Sequence, residues 1–256
     1  MSHGTKEPYA TCSGCIVKDW CGRKNGKVPL PTDYSVNPEC SGYILLEQAF
    51  KLSNIPTEYS KAIRENFKFD NDNIKYREHF NDILNTITEQ VDRGNNIGLI
   101  HPQKGTGKTY TAITFAMEYL INNTLKPDRF DFEKPLILYV KYGAWANELR
   151  QVYQLNDEDY SSKVLRNMER MQSVPLLILD DIGSGRLTNY VRDLTYNLID
   201  YRKENKLSTF FTSNFGISQL EKADCLGDII ISRLLYNTTI FQLGGHDRRR
   251  NKTLIL

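Results

Sequence analysis

Long apolar runs are missing from this 256-residue sequence. None approaches the roughly 20 consecutive apolar residues that a membrane-spanning helix needs. The first residues, Met1-Ser2-His3-Gly4-Thr5-Lys6-Glu7-Pro8, lack the apolar stretch of a secretory leader, so a cytoplasmic protein with no membrane partner is expected. Charge of one sign is lacking too. Lys and Arg number 33 against 31 Asp and Glu, a net +2, so composition alone does not call for nucleic acid and any basic surface must arise by clustering. There is no internal repeat, heptad array or low-complexity tract. Cysteine is scarce and unevenly spread: there are five, and four fall within the first 40 residues. In a reducing compartment such a cluster points to metal ligation rather than disulfides. What remains, 40% hydrophobic and 25% charged residues, is ordinary for a globular protein. The length allows one main domain and a smaller appendage, at roughly 100–200 residues per domain.

Residues 1–42 are rich in Gly, Pro and Cys with little hydrophobic periodicity, so this segment needs a staple to fold. A helical stretch from about Tyr43 to Leu52 ends before Ile55-Pro56. A second covers about Lys75 to Arg93, with Phe80, Ile83, Leu84, Ile87 and Val91 at helical spacing, and Gly94-Asn95-Asn96 closes it. Residues 43–93 therefore read as a helical linker and the start of the main domain, and 94–256 as its core. In that core, short apolar runs alternate with longer helical patterns: Ile97–Ile100, Leu136–Val140, Leu176–Leu179, Thr209–Thr212 and Thr239–Leu243. This alternation predicts an α/β fold around a mostly parallel sheet of five strands.

Between the first run and the helical pattern Thr109 to Ile121 lies Gly105-Thr106-Gly107-Lys108-Thr109. Strand, glycine turn, Gly-Lys-Thr and helix make the context of a phosphate-binding loop. The glycines let the backbone curl its N–H groups toward phosphate oxygens, and the helix N-terminus adds a favourable dipole. Lys108 is expected to reach the β- and γ-phosphates of ATP, and Thr109 to offer its hydroxyl to Mg²⁺. Tyr110 completes the expected nucleotide-binding set. Pro102 stands where the usual loop begins with glycine, and it fixes φ near about −65°.

Leu176-Leu177-Ile178-Leu179-Asp180-Asp181 delivers two acids at the C-terminal end of a buried strand, where open α/β sheets bind ligands. Asp180 is the expected Mg²⁺ ligand. Asp181 is the expected base for the attacking water, and as the shorter acid in a place where glutamate is commoner it predicts slow turnover. Asn214, after Thr212-Ser213, is the candidate to sit between γ-phosphate and water. Arg233 and Arg248 are candidates to meet transition-state or γ-phosphate charge.

Cys12-Ser13-Gly14-Cys15, Cys21 and Cys40 offer four thiolates, enough for a tetrahedral Zn²⁺ site that would hold a segment with almost no core. An iron–sulfur cluster uses the same ligands, and His3 offers a substitute for one of them. Cys225 stands apart as a buried or partly buried thiol.

From about Ile44 to the C-terminus these motifs resemble the AAA+ helicase loaders of the DnaC/DnaI type and the related transposition helper IstB. The residues that carry the resemblance are Pro102–Thr109, Leu176–Gly183, Val191 through Asn214, Ser232-Arg233-Leu234 and Gly245-His246-Asp247-Arg248-Arg249, in that order, with Asn54-Ile55-Pro56 upstream. The resemblance implies a five-stranded AAA+ core with a minimal lid, ATP hydrolysis stimulated by a partner, self-association through the ATPase domain, Arg233 as an arginine finger acting in trans, and Arg248 as the sensor-2 arginine. It further implies a zinc-binding N-terminal module that grips a hexameric replicative helicase, with Trp20 and Ile16 as contact residues, and an ATPase domain that touches single-stranded DNA. Lys141, Tyr142, Trp145 and Arg150 are the candidate DNA surface, by stacking and phosphate contact. A transposition helper that recruits a transposase is the nearest alternative. A zinc-dependent adaptor that binds ATP with little turnover is the other.

Overall fold

The computed structural model describes residues 41–248, apart from 125, 127, 128, 130, 132, 156, 157 and 186. Cys12, Cys15, Cys21 and Cys40, together with Trp20 and Ile16, lie outside the described residues.

Two helices precede the sheet, α1 (Ser41–Leu52) and α2 (Arg77–Asp92), with three short 3-10 turns between them. Then come β1 (Asn96–Ile100), α3 (Lys108–Thr124), β2 (Ile137–Lys141), α4 (Tyr142–Leu155), α5 (Glu158–Ser173) and β3 (Leu176–Asp180). The chain continues as α6 (Asn189–Glu204), β4 (Ser208–Ser213), α7 (Ile217–Leu220), α8 (Asp228–Leu234) and β5 (Thr238–Phe241). The strands form one sheet in the order β2-β3-β4-β1-β5, and every neighbouring pair is parallel. The last strand stops at Phe241, two residues short of the expected run, and just beyond it the chain turns, with the Gly244 N–H on the Gln242 carbonyl at 3.1 Å. Among the described residues no helix follows β5.

Strand side chains alternate across the sheet, and the two resulting faces are both apolar. Ile97, Leu99, Ile137, Tyr139, Leu176, Ile178 and Phe210 point to a core shared with α1, α2 and α3. Ile100, Leu138, Val140, Leu177, Leu179 and Phe211 point to a second core shared with α4, α5, α6 and α8. A parallel sheet covered on both faces needs strands that read as continuous apolar runs, and these do. Phe80, Ile83, Leu84, Ile87 and Val91 all face inward from α2, as their spacing predicts. Leu46 and Ala49 of α1 are buried in the same core as β1 and α3, so the helices before the sheet are built into it.

Candidate nucleotide site

Residues 101–107 turn the chain from β1 into α3. Gly105 and Gly107 hold φ of +74° and +95°, a left-handed backbone that a side chain resists. Lys108 is 7% exposed. Its Nζ donates to the carbonyls of His101 at 3.0 Å and Gln103 at 2.6 Å, one on each side of Pro102. The proline therefore fits a loop that is closed around the lysine. Thr106 Oγ1 is buried with no hydrogen-bond partner, a group that ordinarily has one.

The acids meet this loop where the sheet's strands end. Asp180 is 5% exposed and accepts three hydroxyl hydrogen bonds. Thr109 Oγ1 donates to its Oδ1 at 2.7 Å, Thr212 Oγ1 to the same oxygen at 2.8 Å, and Tyr139 Oη to Oδ2 at 2.7 Å. Thr109 spends its proton on Asp180, so the lone pairs of its oxygen remain for a cation. A threonine hydroxyl beside a carboxylate is the hard oxygen donor set that Mg²⁺ takes, and the residues present fit that ion. The Asp181 amide donates to Thr212 Oγ1 at 2.9 Å, and Asn214 Nδ2 donates to Asp181 Oδ1 at 2.6 Å. Asp181 has φ of +58°, a strained backbone of the kind that clusters at functional sites. Lys108, Thr109, Asp180, Asp181 and Asn214 thus lie around one end of β1, β3 and β4.

Tyr110 is half-buried beside the loop, its hydroxyl donating to the Lys61 carbonyl at 3.3 Å, and burial raises its pKa. Arg248 also reaches the loop, but on its carbonyl side. Its backbone N–H donates to the Gly105 carbonyl at 3.0 Å and its guanidinium to the Thr106 carbonyl. Its Nη2 donates to both carboxylate oxygens of Asp70, at 2.9 and 2.7 Å. Arg233 contacts none of the groups around Asp180. Its Nε donates to Asp200 Oδ1 at 2.6 Å and its guanidinium lies 4.6 Å over the Tyr196 ring.

One expectation is overturned. Tyr142 and Trp145, expected on a DNA surface, are 0% and 1% exposed. They pack edge to face in the second core, where Tyr142 shares a hydrogen bond with Thr195 at 2.9 Å. The apolar face of α4 has to go against the sheet, and the aromatics are on that face. Lys141 is exposed and Arg150 half-exposed. Cys225 is half-buried, as expected, and burial raises its thiol pKa.

Sequence reasoning missed Tyr139, Thr212, Asp70 and Asp200. Thr212 had a signal, since it precedes Asn214 on a strand next to the acids. Tyr139 had none, because a tyrosine in an apolar run reads as core. Its hydroxyl finds Asp180 only once β2 pairs with β3, with Tyr139 beside Ile178. Burial and the Asp180 carboxylate push the Tyr139 phenol pKa up, so it remains a proton donor.

Comparison with known proteins bears on this geometry. Residues 139–254 match the family model "IstB-like ATP binding protein", a span that begins at β2, after the glycine loop. The replicative helicase loader DnaI of Bacillus subtilis is 29% identical over 184 residues, 67% of this chain and 53% of that protein. The chain therefore spans about half the length of the curated relative it matches. Among solved structures, the DnaC helicase loader superposes with a TM-score of 0.56 at 18% identity, covering 74% of this chain and all (100%) of that one. The DnaI structure gives a TM-score of 0.53 at 22% identity, covering 77% of this chain and 95% of that one. Family model, curated relative and solved structures agree that the chain resembles the DnaC/DnaI-type helicase loaders and the IstB-like ATP-binding proteins, whose α/β fold it shares.

Proposed function

We propose that this protein is an ATPase that loads a hexameric replicative helicase onto single-stranded DNA. The observation that carries the reading is the bond from Thr109, at the start of α3, to Asp180, at the end of β3, with Asn214 holding Asp181 alongside. A helix-terminal loop with its lysine, a hydroxyl–carboxylate pair and a second acid steadied by an amide are the parts that nucleotide hydrolysis needs.

In this reading the N–H groups of Gly105, Thr106 and Gly107, with Lys108, hold the phosphates. Tyr110 lines the side of the site next to Lys61. Thr109 and Asp180 hold Mg²⁺, which supplies charge neutralisation at the phosphate oxygens when bound. Asp181 takes a proton from water, and Asn214 fixes the orientation of the Asp181 carboxylate. Arg233 serves the site of a neighbouring copy as a trans arginine, which is why Asp200 and Tyr196 rather than the local cluster hold it. Arg248 braces the loop from behind and would reach γ-phosphate only on leaving Asp70. Cys12, Cys15, Cys21 and Cys40 bind Zn²⁺ and shape the module that grips the helicase. Lys141, at the end of β2, and Arg150, on α4, are left as the DNA-facing residues without the two aromatics. Cytoplasmic placement follows from the role. The name of the Bacillus subtilis relative supports a loader.

The test is co-purification of the full chain with the host's replicative helicase under ATP and under ADP, with fluorescent ATP binding and zinc measured on the same sample. Wild type should bind ATP and capture the helicase, and Lys108→Ala should lose both nucleotide binding and the ATP dependence of capture. Recovery of a transposase instead would replace this reading with the transposition helper. Full function in Asp181→Asn beside a dead Lys108→Ala would replace it with the adaptor.

A further inference from the structure

We infer that Tyr139 is a positioning residue for the cation site: its hydroxyl fixes the plane of the Asp180 carboxylate so that Thr109 and Asp180 present their oxygens to Mg²⁺ together. This rests on the ATP–Mg²⁺ reading above and adds a residue to it from outside the phosphate loop and the acidic strand end.

The last torsion of an aspartate is soft and broad, so the carboxylate plane is set by what donates to it. At Asp180 the two oxygens are treated differently. Oδ1 takes the hydroxyls of Thr109 and Thr212, and Oδ2 takes Tyr139 at 2.7 Å. Remove the Tyr139 hydroxyl and Oδ2 loses the donor that opposes rotation toward the two threonines. Tyr139 is itself firmly placed. Side chains on one face of a strand recur every two residues, and with Tyr139 beside Ile178 the ring leans along that face to the next carboxylate on β3. Its backbone N–H donates to the Ser53 carbonyl at 2.7 Å. Ser53 in turn closes the end of α1, its hydroxyl donating to the Phe50 carbonyl at 2.6 Å and accepting from the Ile55 amide at 3.2 Å. The ring is buried in the core shared with α1 and α3. A phenol fixed at both ends, with its one proton aimed at the acid expected to face the cation, is an outer partner of the kind that orients metal ligands.

The experiment uses the full-length protein and two variants, Tyr139→Phe and Asp180→Asn, with their double variant. A fluorescent ATP analogue is titrated in EDTA and then at fixed nucleotide against Mg²⁺. Tyr139→Phe should keep a cooperative thermal transition and the wild-type affinity in EDTA, while the Mg²⁺ concentration for half-maximal response rises by roughly tenfold, the low end of what loss of such a partner does. In the Asp180→Asn background the same change should add nothing, because the carboxylate that Tyr139 orients for the cation is gone; a role in core packing alone would add the same loss in both backgrounds. An unchanged Mg²⁺ midpoint in Tyr139→Phe, or an equal further loss in the Asp180→Asn background, overturns the positioning role and leaves the ATP reading intact. A wild-type protein that binds the analogue no better than Lys108→Ala overturns the ATP reading, and the positioning role falls with it.

Discussion

Arg202 carries a charge to a place water does not reach. It sits on α6 at 1% exposure, and burial works against its charge, yet all its partners are neutral oxygens. Nε donates to Thr209 Oγ1 at 3.0 Å, Nη1 to the carbonyls of Met171 and Val174 at 2.7 and 2.9 Å, and Nη2 to those of Pro175 and Ser208. The first carbonyls close the C-terminus of α5, where a helix leaves acceptors without partners. The others belong to the beginnings of β3 and β4. One planar fork thus ties a helix end to two central strands. Arg202→Met should leave these acceptors dry and unpaired and cost about 3 kcal/mol or more. Differential scanning calorimetry should read this as a Tm lower by roughly 6–12 °C, at about 2–4 °C per kcal/mol for a chain of this size. Arg202→Lys should recover little of it, since an ammonium donates from one point and cannot span the fork. Sequence alone could not separate this arginine from the exposed bases next to it in the chain, because its role appears only when α5, β3 and β4 converge.

At the scale of elements, alternation was the readable signal. Five apolar runs predicted five strands, and the phosphate loop placed the start of α3 to within a residue, because a lysine that follows a left-handed glycine is where the helix must begin. The same logic failed at α4. A basic and aromatic stretch after β2 suggested a nucleic-acid surface, but residue type does not say which way a helix turns, and the apolar stripe decided for the core. The segment after β5 was legible only as a motif. Its geometry depends on residues far upstream: Arg248 on Asp70, and the His246 amide and ring Nδ1 on Asp72 at 3.0 and 2.7 Å. Burial raises the Asp70 pKa, but the Arg248 hydrogen bonds and charge, with the Asp72 and Asn73 amides, hold it below the ordinary 3.8. A carboxyl whose folded pKa is depressed stabilises the fold above its unfolded value, and the contribution disappears as pH falls through the folded one. Asp70→Asn should therefore lower Tm above about pH 5, and the gap to wild type should close as pH falls through and below 3.8. Tm measured against pH on both proteins checks this. A gap that stays constant in acid would mean that Asp70 does not work through its charge.

For the molecule as a whole, the question is where the sheet-centred body begins. The sequence reads residues 43–93 as a helical linker and the start of the main domain, with the core from 94 onward, and packing ties the two stretches together. Leu46 and Ala49 of α1 are buried with α3, and the Ser53 carbonyl takes the N–H of Tyr139 on β2, which is an outer strand of the sheet. An open strand edge invites pairing with other chains, and α1 with the turn after it covers part of this one. Two truncations should therefore behave differently. Removal of residues 1–40 takes away the cysteine cluster and none of these contacts. It should leave a cooperative thermal transition near that of the full chain, with ATP affinity unchanged and helicase capture lost. Removal of residues 1–53 strips Leu46 and Ala49 from the core, at about 1.5–3 kcal/mol for the leucine alone, and frees the Tyr139 amide as well. It should lower Tm by several degrees, promote aggregation in light scattering, and weaken Mg²⁺-dependent ATP binding through the displaced Tyr139 ring. Equal Tm and ATP affinity in the two truncations would show that α1 is only a connector, and that the sheet-centred body begins after it.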